Sequence, residues 1–325
     1  MTIYLVTGAA GFIASRICGM LIESGHRVIG IDNLNEAYDV RVKHWRLEKL
    51  KKLEGFTFYQ EDIGDLRTLA KICKAHQPIA AIINLAARAG VRASVEDPWE
   101  FYRTNVTGTL NLLEMCRTWE IPKFILASSS GVYGENPPLP TPENADTSRP
   151  LQPYAASKKA AEVVAYAFHH LYHIDVTVFR YFTVYGPAGR PELALFRFVQ
   201  WISEGHPVLI TGDGSQSRGF TYLDDIARGT ILGLKPLGYE IINLGGHETI
   251  SINDLVTLLE KKIGKKANRQ FLPRHPADVS ISWADISKAN RLLQWVPQVT
   301  LDEGVTKLVE WYRAERSWAK DIIMP

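Results

Sequence analysis

Tyr154 and Lys158 stand four residues apart in Tyr154-Ala155-Ala156-Ser157-Lys158, at the start of a segment with helical periodicity. On a helix that spacing puts both side chains on one face, a turn apart, so a phenol and an ammonium can work on one ligand. A phenol free in water has a pKa near 10 and is a poor base at neutral pH. A cation held beside it favours the phenolate and brings it toward the working range. The pair suits the removal of a proton from an alcohol during its oxidation. Ser128-Ser129-Ser130-Gly131 offers hydroxyls that could hold the reacting oxygen beside Tyr154. Serine clusters are commonly turn formers, so their meaning depends on the elements around them.

Those elements alternate over the first 180 residues. Strand-like runs fall at 2–7, Arg27–Ile31, Phe56–Tyr59, 80–84, 123–127 and 175–180, with helical periodicity at 12–24, 40–53, 66–76, 99–119 and Pro153–Tyr172. Strict alternation predicts an α/β fold of Rossmann type, a doubly wound parallel sheet covered on both faces. Ligands of such sheets sit beyond the carboxyl ends of the strands, where both the serine run and Tyr154 then fall. The pattern changes after Arg180, with turns at Gly186-Pro187, Gly212-Asp213-Gly214 and Gly245-Gly246, a strand at 240–244 and amphipathic helices at 253–263 and 301–310. We expect a nucleotide-binding domain over 1–180, with about 225–246 returning to it. Residues 181–325 should form mainly a smaller α/β substrate domain.

Gly8 and Gly11, in Val6-Thr7-Gly8-Ala9-Ala10-Gly11-Phe12-Ile13-Ala14, join the first strand to the first helix. Glycines there let backbone approach a pyrophosphate, and the helix start supplies free N–H groups. The spacing is G-x-x-G-x-x-A, with Ala14 where a third glycine is usual. Asp32 ends the second strand, where a carboxylate can bond the adenosine ribose and repel a 2′-phosphate. NAD is therefore expected rather than NADP, although an aspartate there could also merely cap the next helix.

The bulk numbers exclude several classes. The 325 residues are 46% hydrophobic and 22% charged, with a net charge of +2, the balance of an ordinary globular protein. That charge argues against nucleic acid and anionic membranes as partners. No apolar run is long enough to span a bilayer, and with the first strand so early we expect no signal peptide. Cys18, Cys73 and Cys116 form no CxxC pair, and the nine histidines have no metal-ligand spacing. We expect no metal, a reducing compartment and a cytoplasmic location.

Over nearly its whole length the chain resembles the extended short-chain dehydrogenase/reductase family, and within it the NAD-dependent UDP-sugar 4-epimerases. The residues that carry the resemblance are the glycine loop, Asp32, the serine loop and Tyr154 with Lys158. Asp62-Ile63, Leu85-Ala86-Ala87, Asn105, Arg180-Tyr181-Phe182-Thr183-Val184-Tyr185-Gly186-Pro187 and Trp283-Ala284-Asp285 add to it. The resemblance implies that Gly8, Gly11, Phe12, Ile13, Asp32, Asn33, Asp62, Ile63, Leu85, Ala86, Ala87, Asn105, Tyr154, Lys158, Tyr181 and Val184 hold NAD. It also implies catalysis by Ser129, Tyr154 and Lys158, and a homodimer formed through the helices at 99–119 and 153–172.

Asp32-Asn33-Leu34-Asn35 with Tyr38-Asp39, Ala89-Gly90-Val91-Arg92 and the run through Gly189-Arg190-Pro191 look most like the UDP-glucuronate 4-epimerase branch. Thr183 stands where many neutral-hexose epimerases have asparagine. By resemblance Thr183 and Arg190, assisted by Arg92, face the sugar carboxylate, Ser129 and Ser130 touch the sugar, and Arg218, Arg274 and Asp278 anchor the UDP. A guanidinium can indeed hold a carboxylate through paired charge-assisted bonds. Four positions depart from the family: Asn84 for histidine, Ala14 for glycine, His275 for a diphosphate-binding arginine, and Gly131 for a hydroxyl residue. Sugar 4,6-dehydratases of similar sequence need an Asp–Glu pair, and UDP-glucuronate decarboxylases a glutamate, where this chain has Ser130-Gly131. Transient oxidation at C4 is therefore the expected reaction. A UDP-glucose or UDP-N-acetylglucosamine epimerase is the alternative, favoured by the small Gly131 and Ser282. A decarboxylase or a non-catalytic NAD-binding protein stands behind it.

Overall fold

Apolar runs buried on both faces are what a parallel sheet demands, and six strands, all but the half-buried Phe56–Tyr59 mostly buried, fall in the first 181 residues. The computed structural model describes residues 1–246, 248–273 and 279–324. Its main sheet contains β1 (Ile3–Thr7), β2 (Arg27–Ile31), β3 (Phe56–Tyr59), β4 (Ala81–Asn84), β5 (Lys123–Ser129), β6 (Asp175–Tyr181) and a seventh strand, Tyr239–Leu244. The order is Tyr239–Leu244, β6, β5, β4, β1, β2, β3, with every neighbouring pair parallel. The chain starts at β1, winds outward to β3, then restarts at β4 on the other side of β1. The winding reverses between β1 and β4, the place where such sheets open a crevice for ligands.

Helices α1 (Phe12–Glu23), α2 (Val40–Leu50), α3 (Leu66–Ala75), α4 (Val91–Glu96), α5 (Pro98–Tyr102), α6 (Gly108–Thr118) and α7 (Pro153–Tyr172) accompany these strands. Phe12, Ile17 and Leu21 of α1 pack in one core cluster with Val6, Ile125 and Phe179 of the sheet. Leu69 and Ile72 of α3, Leu112 and Leu113 of α6 and Phe168 of α7 pack in a second, with Leu5, Ile82 and Val176. The neighbours Leu5 and Val6 thus point into opposite layers, as the alternation of a strand requires.

The single helix expected over 99–119 is broken. A π-helical turn, Arg103–Thr107, separates α5 from α6. The wide turn brings the Asn105 amide inward, where its nitrogen donates to Ser157 Oγ at 2.9 Å and to the Arg88 carbonyl at 3.0 Å. Such single-turn π segments often mark sites where a side chain must be re-aimed. The short α4 lay outside the expected elements.

Later in the chain, helices Ala194–Glu204, Ile252–Ile263 and Leu301–Ala319 build a third cluster around Phe196, Leu255, Leu308 and Tyr312, and Val42 of α2 joins it. The last helix runs nine residues past the expected stop at 310, because Trp311, Tyr312 and Ala319 continue its buried face. A capping box between Thr300 and Glu303 starts it. Two short pairings reach back toward the crevice: Thr183–Tyr185 with Phe220–Tyr222, and Ser217–Arg218 with Ile281–Ser282. No helix among the described residues is long and apolar enough to cross a membrane.

Candidate active site

The crevice is a cavity of about 520 Å³ that reaches from the glycine loop to Ser282. At one end lie Gly8, Gly11, Phe12 and Ile13, between β1 and α1. Gly8 has φ +69°, and a Cβ on it would lie 2.8 Å from the Ala86 backbone nitrogen. Only glycine lets this turn pass so close to the loop after β4. No side chain caps α1. Its first N–H groups are thus left to a ligand, which is what a pyrophosphate needs.

Asp32, 7% exposed, ends β2, and its two carboxylate oxygens accept from the Ala10 N–H at 3.1 Å and the Leu34 N–H at 2.8 Å. A carboxylate oxygen has two acceptor sites, so each retains one for a ribose hydroxyl. Asn33 donates to Asp62 at 2.9 Å, and Asn33, Asp62, Ile63, Leu85, Ala86 and Ala87 all line the cavity. These residues fit a dinucleotide. Asn84, the departure from the family, accepts from Thr7 Oγ1 at 2.7 Å and donates to Thr109 Oγ1 at 3.0 Å, tying β1 and β4 to α6.

At the other end β5 and α7 bring the candidate catalytic residues together. Ser129, Ser130, Tyr154, Lys158, Tyr181, Thr183, Val184 and Arg190 line the same cavity. Lys158 is 5% exposed and donates to the Ala127 carbonyl at 2.8 Å. Burial lowers its pKa to about 8, against the pull of the Glu162 carboxylate and with help from the Arg190 cation. The serines divide their work. Ser128 donates to Glu162 at 2.6 Å, and Glu162 is paired with Arg180 at 2.8 Å beneath the site. Ser129 Oγ accepts from the Gly131 N–H at 3.1 Å, which caps the turn Ser130–Tyr133 and leaves its own proton free to donate. Of the two, only Ser129 lines the cavity with a hydroxyl proton not already donated.

Two expected ligand contacts lie elsewhere. Asn105 does not line the cavity. Both ends of its amide are taken by Arg88 backbone and Ser157, so it supports the loop after β4 and the start of α7. Arg92 is exposed on α4 and also outside the cavity. Arg218 does line it, at the Ser282 end, donating to the Val279 carbonyl at 2.8 Å. Arg274, His275 and Asp278 lie outside the described residues.

Several lining residues had drawn no role from the sequence. Lys43, 5% exposed, donates to the Asn35 carbonyl at 2.7 Å beside Asp32. Gln152 lines the cavity just ahead of α7, and its Oε1 is buried without a partner. Its place at the N-cap of the helix that carries Tyr154 was the only available signal. Tyr38 lies under the Arg190 guanidinium, 6.0 Å from ring centre to Cζ. Arg46, buried in α2, donates to the Ala188 carbonyl at 2.6 Å, the Ala10 carbonyl at 3.1 Å and Tyr38 Oη at 2.8 Å. This guanidinium braces the glycine loop against the segment that presents Arg190.

Comparison with known proteins agrees with this geometry. The family model described as GDP-mannose 4,6 dehydratase matches residues 5–308. The chain is 54% identical over 324 residues to a UDP-glucuronate 4-epimerase of Thermodesulfobacterium geofontis, covering 99% of each. Among solved structures, the UDP-glucuronic acid 4-epimerase of Bacillus cereus with UDP-glucuronic acid and NAD superposes with a TM-score of 0.90 at 38% identity, covering 97% of this chain and 100% of that one. The UDP-glucose 4-epimerase of Thermotoga maritima with UDP-glucose also gives 0.90, at 34% identity and the same coverage.

Proposed function

The chain belongs to the extended short-chain dehydrogenase/reductase family that the GDP-mannose 4,6 dehydratase model describes, and from that premise we propose that it is an NAD-dependent isomerase interconverting UDP-glucuronate and UDP-galacturonate. The observation that carries the uronate is Arg190. Its guanidinium lines the cavity with Thr183, close enough to Tyr154 and Lys158 for their charges to interact. A cation there meets a carboxylate on the carbon next to the ring position being oxidised.

Tyr154 takes the proton of the 4-hydroxyl, and Ser129 donates to the same oxygen. The Lys158 ammonium favours the phenolate that accepts this proton. Bound NAD supplies the acceptor for the C4 hydride and, once the keto sugar has turned, its donor. Tyr154 then returns the proton to the C4 oxygen. Arg218 holds the diphosphate while the sugar turns, with Arg274 and Asp278 as sequence-based candidates beside it. In this division of labour residues 1–180 and the strand at 239–244 carry the cofactor, and the later residues carry the UDP-sugar.

The family model takes its name from a 4,6-dehydration, which also needs groups to move the C5 proton and the C6 hydroxyl. Ser130 and Gly131 follow Ser129, and neither is a carboxylic acid. Among the described residues, the carboxylates that line the cavity, Asp32, Glu61 and Asp62, sit at the opposite end. The acid and base that elimination needs are therefore not expected beside Ser129.

NMR of the products from UDP-glucuronate should show UDP-galacturonate without accumulating NADH; no conversion by protein with NAD intact overturns the assignment. A neutral UDP-hexose is the second reading, because Ser282 lines the cavity and leaves room. Arg190→Ala separates the two. For a uronate enzyme it should cost kcat/KM on UDP-glucuronate about 10- to 100-fold, the range of a lost charge-assisted bond, while neutral-sugar turnover changes little.

We further propose a homodimer. α6 and α7 pack side by side, and Leu110, Val163, Tyr166, Leu171 and Tyr172 stay exposed on them. An apolar face of that kind needs a partner.

A further inference from the structure

Two residues past Arg190, Glu192 is bonded in a lopsided way. Its Oε1 accepts from Arg190 Nε at 2.7 Å and also from Nη2, while its Oε2 is buried without a partner. A buried carboxylate oxygen left unpaired is costly, so this pairing satisfies only half of the group. Arg197, on the first turns of helix Ala194–Glu204, shows the complementary defect. Its Nε is buried without a partner, and it forms no hydrogen bond or ion pair among the described residues, resting only over the Trp201 ring at 5.3 Å. Burial and the Arg92 charge weaken the hold of Arg197 on its proton, and the Glu192 carboxylate is close enough to oppose them. A carboxylate with one oxygen unused and a guanidinium with one N–H unused thus stand in the same short segment.

We propose that Glu192 is an exchangeable counter-ion: it holds Arg190 while the cavity lacks a carboxylate, and passes to Arg197 when a sugar carboxylate takes Arg190. The proposal rests on the uronate reading above. A partly buried guanidinium without a counter-ion is unfavourable, so Glu192 keeps Arg190 neutralised in the free enzyme. A uronate offers Arg190 an equivalent carboxylate, and the displaced Glu192 meets the unpartnered Nε of Arg197. Every charge is then paired. A neutral sugar has nothing to give Arg190, and Glu192 stays where it is. Discrimination arises because only an anionic sugar completes the exchange, a difference between two ligands rather than tight binding of either.

Glu192→Gln and Arg197→Gln, purified with NAD bound, test this by calorimetric titration with UDP-glucuronate and UDP-glucose. Removing the competing charge in Glu192→Gln should tighten UDP-glucuronate about fivefold or more, with UDP-glucose within about twofold of the parent. Removing the refuge in Arg197→Gln should weaken UDP-glucuronate by a similar factor and again spare UDP-glucose. Weaker UDP-glucuronate binding by Glu192→Gln, or equal effects on both sugars in either variant, overturns the exchange and makes Glu192 a fixed support. Bound-NAD absorbance and the melting temperature establish that each variant is folded. A parent protein that does not convert UDP-glucuronate refutes the functional reading, and the exchange with it. A parent that converts it, with variants that behave otherwise, refutes the exchange alone.

Discussion

Lys158 carries its charge where charges are disfavoured. Burial brings its pKa to about 8, against 10.5 for an unfolded lysine, with the Arg190 cation adding to the effect and Glu162 opposing it. Below pH 8 the ammonium is present to favour the Tyr154 phenolate; above it the charge is lost. The alkaline limb of kcat/KM should therefore fall near pH 8, move upward in Arg190→Ala, and vanish from the residual activity of Lys158→Met. A limb unmoved in both variants would assign it to another group. The same shift affects stability. Between roughly pH 8 and 10.5 the unfolded chain binds this proton and the folded chain does not, so the contribution of Lys158 to stability rises with pH across that window.

The elements that hold these residues are locked from below. Glu162, one turn after Lys158 on α7, accepts from Ser128 at the end of β5 and pairs with Arg180 of β6, and both ions are at most 2% exposed. Breaking a buried pair from one side leaves an uncompensated charge. Glu162→Ala should lose about 3–5 kcal/mol in urea unfolding, and a double replacement of Glu162 and Arg180 by methionine should recover much of it. A loss below about 1 kcal/mol would mean water reaches Arg180. Helix α7 was readable in advance, since Pro153 opens it and its apolar positions repeat at helical spacing. The π-helical turn at Arg103–Thr107 was not. It exists because Asn105 is drawn to Arg88 and Ser157, partners that no local pattern encodes.

At the scale of the molecule, two exposed features have different standing. Trp99 is 82% exposed at the start of α5, while Val163 and Tyr166 form an apolar stripe along α7 beside Leu110 of α6. If that stripe is the dimer face, light scattering should give about twice the chain mass, and Val163→Glu combined with Tyr166→Glu should give a monomer. A parent protein that is already monomeric removes the proposal. Within one chain, Arg46 ties the glycine loop, α2 and the Arg190 segment together by bonding to Ala10, Ala188 and Tyr38 at once. Cofactor and sugar ends therefore share one buried cation.

Much of the plan of this protein is written in short-range patterns along the chain. Strand periodicity set the parallel sheet, the spacing of Gly8 and Gly11 between strand and helix marked the nucleotide turn, and Tyr154 and Lys158 declared themselves by one helical turn. These depend on backbone conformation and neighbours within a few residues. The remainder was set by the tertiary packing, through contacts between distant segments. That packing tied Ser128 to Glu162, placed Asn105 and Arg92 outside the cavity, and brought Lys43 and Gln152 into it. It also paired Glu192 with Arg190 through one carboxylate oxygen, and left the other oxygen and Arg197 Nε buried without a partner. A side chain's type limits the bonds it can make, but only the packing around it decides which of them remain free for a ligand.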